Sequence, residues 1–196
     1  MTTTPTGLRE LKQERQRAEL VTVGMRLFAS QGFDATTVDE VAAAAQVSRR
    51  TLFRYFGTKG DIVMEWARGT TTILVESLRE RPPDEPPLAS LHAAFIAMCE
   101  SFADNPAEIH AVATMIERTA SLRPYSLLKH ARWEDGLAAG LGERSPELDE
   151  STRALLARVA VAAFRVALDE WIPTGGRTPL LDPLDRAFHT LRHGLA

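Results

Sequence analysis

A chain of 196 residues has room for one compact core or two small ones, and its 44% apolar and 25% charged content excludes a disordered or a membrane-embedded protein. The net charge of -3 is unevenly spread, because residues 1–60 carry 9 basic and 6 acidic side chains while residues 61–196 carry 14 and 20. A basic front and an acidic rear turn only the front toward a polyanion.

The opening MTTTPTG has no basic stretch followed by an apolar core, and no apolar run approaches the roughly 18 residues of a membrane span. The expected location is the cytoplasm, with no membrane partner. Residues 1–7 have little to bury and are expected to form a disordered tail. From Leu8 onward the apolar residues recur with helical spacing and show no convincing period-two alternation. The expected fold is therefore all-α, with about nine helices in two parts, 1–60 and 61–196.

The first helix is expected to run from Leu8 to the break at Gly32–Thr36. Thr37 followed by Glu40 forms a capping box that opens a second helix, and Ser48 can cap a third. Gly57 ends the third helix, and Thr58 with Asp61 can start a fourth. Only Ala45, Gln46 and Val47 separate helices two and three, a turn short enough to make them cross steeply as a helix-turn-helix. Leu20, Leu27, Phe28, Phe33, Val38, Val41, Ala42, Ala45, Val47, Leu52 and Phe56 can then form a three-helix core. That burial leaves Arg49, Arg50, Thr51, Phe53, Arg54 and Tyr55 outside, a face suited to the edges and phosphates of a DNA major groove. An ordinary solvated helix face has the same composition; the capped, three-residue turn favours the DNA reading.

The run from Phe28 to Lys59, FASQGFDATTVDEVAAAAQVSRRTLFRYFGTK, resembles the DNA-binding motif of TetR-family transcriptional regulators. The resemblance rests on the phenylalanine and glycine closing helix one, the double threonine, VDEVA, then VS, two variable residues, TL, an aromatic, YF and a following lysine. It implies that Arg49 and Arg50 read bases, and that Thr37, Ser48, Thr51, Tyr55 and Lys59 grip phosphates. Phe53 stands where the family often has tyrosine. Gln46 replaces a glycine of the turn, where a left-handed backbone costs a side-chain-bearing residue about 1 kcal/mol. Gly24 replaces a favoured alanine in mid-helix, at a cost of up to about 1 kcal/mol.

Four prolines between Arg81 and Pro87 end the fourth helix, and further breaks are expected at Asn105-Pro106, Gly142–Pro146 and Pro173–Pro179. Helices five to seven carry Phe95, Met98, Phe102, Met115, Trp133 and Leu137, which at helical spacing read first as core; the resemblance implies an effector cavity among them. Cys99, flanked by Ile96, Ala97 and Met98, reads as a small buried hydrophobe, and one cysteine forms no internal disulfide. The helix from Ser151 to Ile172 is apolar on most sides, and the last, Leu180–Leu195, carries its own stripe. Both suit a central core. The resemblance implies instead a homodimer interface formed by Leu155, Val159, Ala163, Val166, Leu184, Phe188 and Leu191.

No G-x-S-x-G, H-E-x-x-H or phosphate loop is present, and the three glycines of Gly136–Gly142 are in the wrong order for a dinucleotide fingerprint. His189 and His193 stand one turn apart, where two cationic histidines suit a helix C-terminus better than a metal. No cofactor and no catalytic residue is expected. The function implied is a repressor released from palindromic double-stranded DNA by a small hydrophobic effector. The alternative is a helical DNA-binding or interaction protein without a ligand.

Overall fold

A computed structural model describes residues 7–194, which form nine α-helices: α1 (Leu8–Gln31), α2 (Val38–Ala44), α3 (Arg49–Tyr55), α4 (Lys59–Arg79), α5 (Pro87–Glu100), α6 (Pro106–Arg118), α7 (Arg123–Arg144), α8 (Glu150–Trp171) and α9 (Leu181–His193). Single turns of 3-10 helix at Ala120–Leu122 and Ile172–Thr174 precede α7 and follow α8. Of the tail expected over residues 1–7, all but Gly7 lies outside the described residues. Gly7 stands at the head of α1, its amide on the Glu10 carboxylate at 3.0 Å. The helices group into two compact units, one ending at Trp66 and the other beginning at Ala67.

In the first unit, Leu20, Met25 and Phe28 of α1 meet Val41 and Ala42 of α2, Leu52 and Phe56 around α3, and Ile62 of α4, all sealed from solvent. Phe33 closes this core with its ring set edge-on to Phe28 at 5.1 Å. Gly24 belongs to the core for a reason its helix propensity hides. A Cβ there would lie 2.9 Å from Ile62 Cγ2, so glycine is what lets α4 pack this closely on α1.

The second unit is built round an aromatic cluster. Phe95 stacks on Phe164 at 4.9 Å, and Trp133 stands edge-on to both, at 6.0 and 5.4 Å. The helix break expected from Gly142 falls later, at Ser145, because α7 runs on to Arg144. Its glycines form a close-approach seam: a Cβ at Gly136 would meet Val75 at 3.0 Å, and one at Gly140 would meet Leu78 at 3.1 Å. Arg144 then gathers the proline-rich segment after α4, donating to the carbonyls of Arg81 (2.9 Å) and Glu85 (3.2 Å) among others. Within that segment Arg81 binds the Glu85 carboxylate through both Nε and Nη2, at 2.8 and 2.7 Å.

No helix among the described residues is long and apolar enough to cross a membrane.

Candidate functional site

The α2–α3 turn is built from backbone hydrogen bonds that explain its shape. The Val47 amide donates to Ala42 O at 2.9 Å and the Gln46 amide to Ala43 O at 3.0 Å, a Schellman closure of α2. Gln46 takes the left-handed conformation this closure demands, with φ 53. Thr37 and Glu40 form the expected capping box at the other end of α2; the Thr37 hydroxyl accepts from the Glu40 amide at 3.2 Å and the Thr37 amide donates to the Glu40 carboxylate at 2.7 Å. The backbone amide and hydroxyl of Thr37 together hold the Glu40 carboxyl below its ordinary value. Ser48 caps α3 by accepting from the Thr51 amide at 3.1 Å, and the two hydroxyls are 2.9 Å apart.

With α3 pinned at its start, burial of Leu52 fixes which face looks out. Arg49, Arg50, Phe53 and Arg54 are exposed, and Thr51 and Tyr55 are half-buried. Arg49 is held on two sides, by the Asp39 carboxylate at 3.0 Å and by the Phe53 ring 5.3 Å from its guanidinium. Arg50 has no partner among the described residues, so its guanidinium is free to meet a ligand. Arg54 lies over the Tyr55 ring and joins Glu10, Gln13, Glu14, Arg17 and Tyr55 in a polar groove of about 480 Å³ beside the start of α1. The Tyr55 hydroxyl donates to Gln16 at 3.2 Å.

Lys59 is placed differently from the other candidates. Its ammonium donates to the carbonyls of Phe33 (2.7 Å) and Thr36 (2.8 Å) and lies 3.4 Å from Asp34 O, against the Phe33 ring. It ties the α1–α2 loop to the start of α4, a role its spacing in the sequence does not reveal.

In the second unit, Phe95, Met98, Met115, Trp133 and Leu137 are buried and Phe102 is half-buried against them. Phe95 and Trp133 pack on each other and on Phe164, which is the core reading of these residues. Cys99 is packed against the same core, and burial pushes its thiol up to about 12. The expected dimer face divides. Leu155 (61% exposed), Val166 (59%) and Leu191 (39%) are open to solvent and Val159 is half-buried. Ala163, Leu184 and Phe188 are instead enclosed by their own subunit, with exposures of 6, 0 and 0%, and have no surface to give a second one. On α9 the apolar stripe packs inward against Phe95 and His92, and only Leu191 at its end emerges. The rings of His189 and His193 lie 4.3 Å apart, and no group of three or more metal-ligating side chains occurs among the described residues.

Residues 20–65 match the family of bacterial regulatory proteins, tetR family, and residues 85–196 match the MftR C-terminal domain family. TcmR of Streptomyces glaucescens, an HTH-type transcriptional regulator, is 31% identical over 173 residues, 84% of this chain and 76% of that one. The regulator MftR of Mycobacterium tuberculosis is 30% identical over 179 residues, covering 88% and 87% of the two chains. Among solved structures, the TetR-family repressor FadR of Thermus thermophilus, in complex with lauroyl-CoA, superposes with a TM-score of 0.65 at 20% identity over 92% of this chain and 95% of that one. At that identity the likeness is one of fold. The chain belongs to the TetR family of transcriptional regulators, and its helix-turn-helix is the family's DNA-binding element.

Proposed function

We propose that the chain acts as a homodimeric repressor that binds a near-palindromic operator through α3 of each subunit and leaves it when a small hydrophobic effector occupies the second unit. The observation that carries the DNA-binding part is the outward presentation of Arg49 and Arg50 from a helix whose cap and turn are fully hydrogen-bonded. Guanidinium forks held in that way suit guanine edges, while Thr37, Ser48, Thr51 and Tyr55 supply hydroxyls for phosphates.

The dimer reading is supported by Leu155, Val159 and Val166, an apolar face of α8 left open by the subunit's own packing, with Leu191 on α9. Two-fold symmetry would set paired α3 helices roughly 34 Å apart, one turn of DNA. Release by an effector requires that the ligand favour the DNA-free arrangement by differential affinity. The cytoplasm is where such a protein meets its operator.

The test is fluorescence anisotropy with the chain's own upstream DNA and a scrambled duplex across a series of salt concentrations. Preferential binding of the upstream DNA, weakened steeply by salt, is expected. Equal affinity for both duplexes would remove the regulator of its own region, and sequence-specific binding that no small apolar compound releases would favour the alternative without a ligand.

A further inference from the structure

The second unit encloses charge as well as rings. Lys129 and His130 of α7 are each only 4% exposed. Glu117 of α6 accepts from Lys129 Nζ at 2.8 Å on one carboxylate oxygen and from the Ser126 hydroxyl at 2.9 Å on the other. His130 Nε2 lies 3.7 Å from the nearer of these oxygens, beyond hydrogen-bond reach. Both ring nitrogens of His130 are sealed from solvent, and neither has a partner among the described residues. One turn before Glu117, Thr114 Oγ1 is also enclosed and unpartnered.

Such groups cost free energy that a core has no reason to retain, and polar groups nearby show the usual remedy. Trp133 Nε1 donates to Thr70 Oγ1 at 3.1 Å, and that hydroxyl donates to Ala67 O at 2.8 Å. His92 has Arg192 3.2 Å from Nδ1, while its Nε2 makes no hydrogen bond although the Asp185 carboxylate lies 2.8 Å away. His130 has no such arrangement.

What the cluster lacks is acceptors. Burial, with the Lys129 charge next, holds His130 down to about 3, so at neutral pH its ring keeps one N–H and one lone pair. Lys129 is pushed down by burial, with Glu117 opposing, and uses one of its three N–H groups on that carboxylate while its ammonium lies 4.9 Å from the centre of the Trp133 ring. Burial raises Glu117, but its contacts with Lys129, His130 and Ser126 together keep it below its ordinary value. Arg165 of α8 adds further positive potential to both Lys129 and His130. The surplus is of donors, beside an aromatic wall formed by Trp133, whose ring is 5.5 Å from His130.

We infer that Glu117, Lys129 and His130 form the polar end of the effector site and take the carbonyl or carboxylate oxygen of an otherwise apolar compound, with His130 and Lys129 donating to it. This rests on the ligand-responsive reading above and names the chemistry of the ligand. Glu117 acts as a positioning residue, holding Lys129 in place.

The test uses the full chain, labelled with nitrogen-15, and follows the His130 ring nitrogens by NMR during addition of hexanoate, 2-hexanone or hexane. His130→Phe keeps an aromatic side chain and the Glu117–Lys129 pair and removes the unpartnered nitrogens, with a six-membered ring in place of a five-membered one. At least one of the two oxygen-bearing probes is expected to move the His130 resonances, hexane to leave them in place, and His130→Phe to weaken the oxygen-bearing probe about tenfold. A response to hexanoate alone assigns a carboxylate; a response to 2-hexanone alone assigns a carbonyl. Should neither oxygen-bearing probe move these resonances, or should His130→Phe bind both as the wild type does, the assignment is overturned. If the variant does not fold, the wild-type resonances alone decide. Operator binding is read separately by anisotropy. Intact operator binding with unmoved His130 resonances removes this site and leaves the regulator, whereas moved resonances without operator binding do the reverse.

Discussion

Arg49 and Asp39 face each other across the α2–α3 turn, Nη1 to Oδ2 at 3.0 Å, with the Phe53 ring on another side of the guanidinium. Both partners are about three-fifths exposed, at 63 and 61%, so the pair contributes only about 0 to 1 kcal/mol to folding. Its effect is on orientation. A guanidinium held by a carboxylate and a ring reaches a base edge with fewer rotamers to lose. Arg49→Ala should weaken operator binding by about 1 to 3 kcal/mol without changing the fold. Asp39→Asn should raise affinity for random DNA, by removing an anion from the phosphate-facing side, and narrow the ratio between operator and random duplex. Anisotropy with both duplexes reads the two changes, and an unaltered ratio in Asp39→Asn would refute the orienting role.

Gly24→Ala separates two physical expectations. Helix propensity alone makes the change favourable by up to about 1 kcal/mol. The 2.9 Å approach of a Cβ to Ile62 Cγ2 makes it an overpacking substitution that costs about 1 to 3 kcal/mol. Urea denaturation should show destabilisation, with part of the loss recovered in Gly24→Ala combined with Ile62→Leu, which lacks the Cγ2 branch.

Lys59→Met should destabilise the chain by about 1 to 3 kcal/mol, because the carbonyls of Phe33 and Thr36 lose their shared donor. A residue that only gripped phosphate would instead change DNA affinity and leave the denaturation midpoint where it was. Measuring both on one preparation distinguishes them.

Leu155→Glu with Val166→Glu places two carboxylates on the open face of α8. Sedimentation should show a monomer at concentrations where the wild type is a dimer, with helix content unchanged by circular dichroism. Operator affinity should fall with the loss of the second α3. A variant that stays dimeric would move the interface elsewhere.

Glu85 supplies a pH dependence whose sign is fixed. The two-point contact with Arg81, helped by Ser90 and by the Arg81 and Arg144 charges, holds its carboxyl down to about 2 from an ordinary 4.5. A folded-state value below the unfolded one gives stability that is present above pH 4.5 and is lost as the pH falls toward 2. Thermal melts across this window should fall more steeply for the wild type than for Glu85→Gln, and parallel curves would dismiss the contribution.

Much of the first unit was legible because its signals are local. Thr37–Glu40, Ser48–Thr51 and Thr58–Asp61 announce helix starts within three residues, and the inward positions Val41, Ala42, Leu52 and Phe56 follow from spacing. What the sequence concealed is set by distant partners. Lys59 turns from solvent to carbonyls that lie 23 and 26 residues away. The value of Gly24 depends on Ile62, and the inward burial of Leu184 and Phe188 is hidden because inward and outward apolar stripes have the same period. The Glu117–Lys129–His130 cluster left no pattern at all, since its members meet only when α6 packs on α7.

Gln46 sits at the pivot between the helix that buttresses and the helix that reads, in a backbone state glycine adopts without strain. A side chain at that position narrows the backbone states open to the turn relative to glycine, independently of the groups that touch a duplex.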